Sequence, residues 1–338
     1  MTGTVLVTGG SGYIAGFLIR QLVAEGWHVN TTVRALAREA EIRRVLAVDD
    51  SRLSFFTADL LDDAGWAEAV AGCSHVAHVA SPFPAAAVKD AQELIRPARE
   101  GALRALRFAR DARVKRFVLT SSAAAIAYGH RGRTTPYTEA DWTDVTHPDS
   151  YAYVQSKTIA ERAARDWVAA EGGAMEFCSI NPTLVVGPIL SADFSTSVEA
   201  IRKIVAGALP GCPDFGFGVV DVRDVADLHV RALNAPNMAG ERFIASGPFL
   251  KMVEIARLLK ARLGADGRKI PTRTLPNFLV QISALFDPMV RQVIGELGKT
   301  REMDASHARK MLGWVPRPAE ESLVDTARSL IALGIVRP

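Results

Sequence analysis

The sequence predicts an α/β fold: a doubly wound parallel sheet of Rossmann type, carrying a smaller, mostly helical substrate domain. Three observations predict it. Short apolar runs bounded by turn residues recur as buried strands, in "TVLVTG", "HVNTTV", "LSFFTAD", "HVAHVAS", "RFVLTSS" and "EFCSINPT". Helical periodicities such as "GFLIRQLVAEG" and "DDAGWAEAVAGC" lie between them, so the chain reads as βαβ units. After "NPTLVVGP" the rhythm breaks into a helix and an aromatic, Gly/Pro-rich loop, resumes at "VVDVRDVADLHVRAL", and ends mostly helical. The expected division gives residues 1–189 and about 219–235 to a dinucleotide-binding domain. About 190–218 and 236–338 then form the substrate-binding domain.

The first strand leads into "GGSGYIAG" and then an amphipathic helix. A pyrophosphate needs bare backbone amides and the positive end of a helix, and side chains at the turn hold it away. Gly10, Gly12 and Ala15 fit G-x-G-x-x-G/A, and Gly9 opens the wider G-x-x-G-x-x-A spacing. Ala15 takes the slot for close helix–strand packing. Thr8, Gly9, Gly10, Ser11, Gly12, Tyr13 and Ile14 are thus the candidate cradle. An NAD site usually ends its second strand with a carboxylate for the ribose 2′-hydroxyl. Here "HVNTTVR" has none, and Arg34 follows directly. A guanidinium pairs with a 2′-phosphate, which points to NADP(H), with Arg38 as a second candidate. The plainer alternative is a solvated arginine and less selective binding of NAD.

"YAYVQSKTIAERAARDWVAAEG" has the apolar spacing of a helix. At about 100° per residue, Tyr153 and Lys157 project from one side, whereas Tyr151 and Lys157 diverge by about 240°. Tyr153 is therefore the candidate acid/base. A free phenol has a pKa near 10, and a neighbouring ammonium with an oxidised nicotinamide is expected to lower it. The strand "RFVLTSS" ends in Ser121 and Ser122, where a hydroxyl can donate to a substrate oxygen gaining charge, ordinary helix or turn capping by serine being an equally good reading without the Tyr/Lys pair.

Bulk properties exclude other classes. The 338 residues are 49% hydrophobic and 23% charged, as in an ordinary globular protein. Forty basic against thirty-seven acidic residues leave +3, too little to argue for nucleic acid or an anionic membrane. Arg104, Arg107 and Arg110 read as the solvated face of an amphipathic helix. Cys73, Cys178 and Cys212 form no C-x-x-C pair, and no signal-peptide pattern or membrane-length apolar run is present, so a cytoplasmic location is expected. His75 and His78 are three apart on a strand, on opposite faces, and no metal site is expected. Asp221 and Asp224 read as capping and charge-pairing residues.

"VTGGSGYIAG", "TSSAAAIAYG", "YAYVQSK" and "NPTLVVGP", in this order, resemble the extended short-chain dehydrogenase/reductases. The resemblance is to the dihydroflavonol-4-reductase-like branch, which includes NADPH-dependent aldehyde and ketone reductases. It implies Ser122 as catalytic hydroxyl, Tyr153 as acid/base and Lys157 as the grip on the nicotinamide ribose. "ADLLD" resembles the adenine-contacting stretch, implicating Asp59 and Leu60; "HVASPF" resembles the fourth-strand loop, implicating Val79, Ala80, Ser81 and Phe83. Pro182, Thr183 and Leu184 are implied at the nicotinamide pocket. The implied reaction is hydride transfer from NADPH to a carbonyl carbon, with protonation from Tyr153. Phe83, Phe194 and Phe215, with Ser122 and Tyr153, are expected to line the substrate pocket, although packing between the domains explains the phenylalanines equally well.

Two departures stand out. Ala98 occupies the place where many relatives carry a catalytic asparagine, and "DSYAYVQSK" is not the N-W-Y-C-Y-G-K-type stretch expected of a cinnamoyl-CoA reductase, which argues against a CoA thioester substrate. The expected partner is a small-molecule carbonyl substrate, with no nucleic acid and no membrane, and the chain a monomer or homodimer. The rival readings are an NAD-retaining epimerase, dehydratase or hydroxysteroid-type dehydrogenase, and an NADP-sensing regulator.

Overall fold

The structure, a computed structural model, describes residues 3–82, 88, 90–130, 132–286, 290–291 and 294–337. The first part alternates β1 (Thr4–Val7), α1 (Tyr13–Ala24), β2 (His28–Val33), α2 (Glu39–Leu46), β3 (Leu53–Thr57), α3 (Trp66–Val70), β4 (His75–His78), α4 (Gln92–Asp111), β5 (Arg116–Thr120), α5 (Ala152–Glu171) and β6 (Glu176–Pro182). Then follow β7 (Leu184–Val186), α6 (Thr196–Val205), β8 (Gly216–Asp221), α7 (Val222–Asn234), β9 (Arg242–Ala245), β10 (Phe249–Lys251), α8 (Met252–Leu263), α9 (Asn277–Ser283), α10 (Ser306–Leu312) and α11 (Ala319–Ala332).

Seven strands form one parallel sheet in the order β3-β2-β1-β4-β5-β6-β9. Both of its faces are covered, which explains strands that read as continuous apolar runs. Alternate residues go to opposite cores: Val5 and Val7 pack with α1 and α7, and Leu6 packs with α3 and α4. Helix α1 forms because Ala15, Leu18, Ile19 and Leu22 recur at helical spacing and are all buried. The order reverses between β1 and β4, so the loops after these two strands part and leave a crevice at their carboxyl ends.

The second unit holds a three-stranded sheet, β10-β8-β7, under α6, α8 and α11. Three boundaries differ from the sequence reading. Residues 242–245, expected in the substrate domain, are the seventh strand of the main sheet, because β6 offers an open edge that Ser179–Pro182 pair in parallel. Residues 184–186 and 219–221, expected in the dinucleotide-binding domain, lie in β7 and β8 of the three-stranded sheet, although α7, which follows, packs on the main core. Ala308, Leu312 and Trp314, near the C-terminus, also return to the main core, where the Trp314 indole donates to the Asp224 carbonyl at 2.8 Å.

Candidate functional site

The glycine turn is held from two sides. Thr8 Oγ1 accepts from the amides of Val79 (3.0 Å) and Ala80 (2.9 Å) and meets His78 Nδ1 at 3.1 Å, fastening the loop after β1 to the loop after β4. Burial pushes the His78 imidazole down to about 3, with Lys157 adding to the effect, so it stays neutral. Gly9 has φ +74°, and a Cβ there would lie 3.1 Å from Ala80 Cα. At Gly10 a Cβ would come 2.3 Å from Thr31 Oγ1. The bare side of Gly12 is different: beyond Gly9 O and the Ala15 methyl it faces open space. Helix α1 starts there with no side-chain cap and no acidic residue in its first turn. The amides of Gly9 and Gly10 donate to Thr32 and that of Gly12 to the Gly9 carbonyl, which fixes the turn, so what it offers is an uncapped helix N-terminus and, at Gly12, room that a side chain would fill, which fits a dinucleotide diphosphate.

The other candidates fall along the same edge. Arg34 follows β2, Asp59 and Leu60 follow β3, Val79, Ala80 and Ser81 follow β4, and Ser122 follows β5. Pro182 closes β6, and Thr183 and Leu184 lead into β7. Leu60 packs against bare Gly101 of α4, where a Cβ would come within 2.8 Å. Arg34 is exposed and makes no hydrogen bond or ion pair among the described residues. Arg38 is engaged with Asp193 (3.1 Å) and Glu41 (3.3 Å).

Ser122 and Tyr153 are brought into contact, and Lys157 stands on the same helix as Tyr153. Tyr151, whose backbone is extended, starts α5, and Tyr153 and Lys157 then lie one turn apart. The Tyr153 hydroxyl donates to Ser122 Oγ at 3.4 Å, and Ser122 Oγ also accepts from the Ala124 amide at 3.1 Å. Two incoming donors leave the serine's own proton for a third partner. Burial pushes the Tyr153 phenol above its ordinary value, and the Ser122 hydrogen bond only partly opposes this. In the protein alone desolvation of the phenolate sets the direction. Burial also brings Lys157 down to about 8, against the pull of Glu161. Lys157, His78, Ser121 and Ala98 line one small cleft, so alanine in the asparagine position leaves space there.

The phenylalanines are placed otherwise. Phe215 is buried in the second core, edge-on to Phe217 at 5.4 Å, and Phe194 packs against the same core. Neither joins the Ser122 group; Tyr128, Tyr151 and Ile244 flank Tyr153 instead. Phe83 lies outside the described residues. Asp221 caps α7 by accepting the Arg223 amide at 2.8 Å, and Asp224 pairs with Arg317 at 2.9 Å. Sequence reasoning missed Asn181, whose amide donates to the Ser122 carbonyl at 3.1 Å, and Glu161, a fully buried carboxylate. The one available signal for Glu161 was its spacing, four residues after Lys157 on the helix carrying Tyr153.

A diphosphate cradle at a sheet's switch point, with a proton-carrying phenol beside it, is the arrangement of a nicotinamide-dependent oxidoreductase. Comparison with known proteins leads to the same class. Residues 5–245 match the NAD dependent epimerase/dehydratase family. A cinnamoyl-CoA reductase of Medicago truncatula is 38% identical over 265 residues, 76% of this chain and 79% of that protein. A dihydroflavonol 4-reductase of Zea mays is 32% identical over 269 residues, 77% and 74% of the two. The NADPH complex of yeast methylglyoxal/isovaleraldehyde reductase Gre2 has the same fold, with a TM-score of 0.81 at 23% identity over 98% of this chain and 100% of that one. The chain belongs to the NAD dependent epimerase/dehydratase family, within the extended short-chain dehydrogenase/reductases and their dihydroflavonol-4-reductase-like branch. Among the described residues, no helix is long and apolar enough to cross a membrane.

Proposed function

We propose that this chain is an NADPH-dependent carbonyl reductase that converts an aldehyde or ketone with an apolar or aromatic body into the alcohol. The observation that carries the reading is the half-buried Tyr153, its hydroxyl 3.4 Å from Ser122 Oγ, with Lys157 one turn further along α5 and the glycine cradle on the same sheet edge. The cofactor is NADP(H): Arg34 is available to a 2′-phosphate, and no carboxylate ends β2 to repel one. When bound, NADPH would supply the hydride that the carbonyl carbon receives. Ser122 directs its proton at the substrate oxygen as negative charge builds there. Tyr153 gives that oxygen its proton, completing the alcohol, and recovers one from solvent. A phenol pushed upward by burial stays protonated through neutral pH, as a proton donor must. Lys157 remains largely cationic below about pH 8 and would hold a ribose hydroxyl of the bound cofactor. Buried, unpaired Cys73, Cys178 and Cys212 suit a reducing compartment such as the cytosol.

The test is a panel of aldehydes, ketones, an aromatic acyl-CoA thioester and a nucleotide sugar, each with NADPH and NADH. Steady consumption of NADPH with a simple aldehyde or ketone is expected. Turnover of the thioester alone, or a tightly held NAD acting only on the nucleotide sugar, would replace this reading.

A further inference from the structure

We propose that Glu161 is a positioning residue for Ser122, Tyr153 and Lys157, a buried carboxylate that fixes the end of β5 against α5. The inference rests on the carbonyl-reductase reading. Glu161 follows Lys157 by one turn and Tyr153 by two, so the three share one side of α5. Its side chain is fully buried. A buried carboxylate persists only where donors replace water, and here they arrive from four elements. Ser121, just past β5, donates at 2.5 Å. From β6, Ser179 Oγ and Asn181 Nδ2 each donate at 2.8 Å. Arg242 Nε of β9 donates at 2.7 Å, and Arg165 Nε of α5 itself at 3.3 Å.

These bonds converge on the serine that meets the phenol. Glu161 holds the Ser121 hydroxyl directly, and it holds the Asn181 amide that donates to the Ser122 carbonyl. The peptide units flanking Ser122 Oγ are thereby fixed against the helix that carries Tyr153. The 3.4 Å contact between the two hydroxyls is already long, so a small drift of the strand end breaks it. Arg242 extends the clamp, donating to the Asp141 carbonyl at 2.8 Å and stacking 3.7 Å over Trp142, in the segment that leads to α5. Lys157 is faced by Tyr153 and Glu161 from its own helix and by neutral His78 from β4. Arg165 and Arg242 stand behind Glu161, and they outweigh its burial to hold the carboxyl below its usual value.

The experiment compares Glu161→Gln, Glu161→Asp, Ser121→Ala and Tyr153→Phe in the full chain. It measures kcat, KM and the pH profile of kcat/KM with NADPH and an aromatic aldehyde, beside thermal unfolding. Glu161→Gln should lower kcat on the order of 100-fold with little change in KM. It should also move the high-pH limb to lower pH, because the ammonium loses the carboxylate that opposes its depression. Ser121→Ala keeps that charge, and should lose about tenfold in kcat with the limb in place. Glu161→Asp should restore the limb and part of kcat. A merely structural role would lower the melting temperature yet leave kcat of the folded protein and the limb untouched. Parental kcat and limb in folded Glu161→Gln overturn the proposal. If that variant does not fold, parental kcat in Ser121→Ala overturns it. Tyr153→Phe separates the two readings: retained turnover there removes the carbonyl-reductase mechanism itself. An inactive Tyr153→Phe beside intact Glu161 and Ser121 variants removes only the role of Glu161.

Discussion

Replacing Tyr153 with phenylalanine removes one oxygen from the centre of the site and almost nothing from the fold. The hydroxyl's bond to Ser122 is long at 3.4 Å, so losing it costs less than about 1 kcal/mol of stability. The melting temperature should therefore move by no more than about 2–4 °C. The chemical loss is far larger. A positioned general acid is worth about 10²- to 10⁴-fold, or about 3–5.5 kcal/mol of barrier at 1.36 kcal/mol per factor of ten. The neighbouring phenol of Tyr151, stacked beside Tyr153 and edge-on to Tyr128, is not the one that meets Ser122 Oγ. The assay is initial-rate NADPH consumption with an aromatic aldehyde, alongside NADPH binding followed by cofactor fluorescence. Tyr153→Phe should bind NADPH as the parent does while kcat falls by at least about 100-fold. Tyr151→Phe should lose less than about tenfold, since Tyr151 precedes the helix and only Tyr153 meets Ser122. If the two variants fall alike, the helical-face reasoning is wrong. If Tyr153→Phe keeps a tenth of parental kcat, the phenol is not the proton donor.

Other expectations follow from neighbouring groups. Arg34→Ala should reduce the NADPH-over-NADH ratio of kcat/KM by about 10- to 100-fold, the worth of a charge-assisted hydrogen bond; an unchanged ratio clears Arg34 of that role. Lys157 should impose a limb near pH 8 on kcat/KM, because its cationic form is present below that value and lost as pH rises through it. The limb should vanish in Lys157→Arg, which stays charged throughout, and a profile flat well above pH 8 in the parent contradicts the assignment. Thr8→Val keeps shape but strands the amides of Val79 and Ala80, and should cost at least about 2 kcal/mol in denaturant unfolding while weakening NADPH binding. Parental stability in that variant would show that the two loops are fastened by something else.

What was legible in the sequence was local. The pairing of Tyr153 with Lys157 follows from the pitch of a single helix, and the cradle at Gly9–Gly12 follows from a strand, a turn and a helix consecutive in the chain. Six strands of the main sheet were visible for the same reason, since burial on both faces leaves continuous apolar runs. The seventh was not. Arg242–Ala245 is a four-residue run whose identity as a main-sheet strand depends on an edge offered by β6, and the whole β7–α7 excursion separates the two. Phe194 and Phe215 carried no signal that would tell a pocket wall from a core, and the structure puts both with the second core.

The same division runs through the chemistry. By itself the sequence determined which side chains can carry phosphate, hydride-linked proton transfer and charge, because residue type and helical or strand period suffice for that. Only the tertiary structure decided their ionisation and support. In the protein alone burial pushes the Tyr153 phenol up, and Glu161 collects donors from three strands or strand ends that meet only in the folded chain. Desolvation and long-range hydrogen bonding belong to the packed whole, and no window of neighbouring residues encodes them.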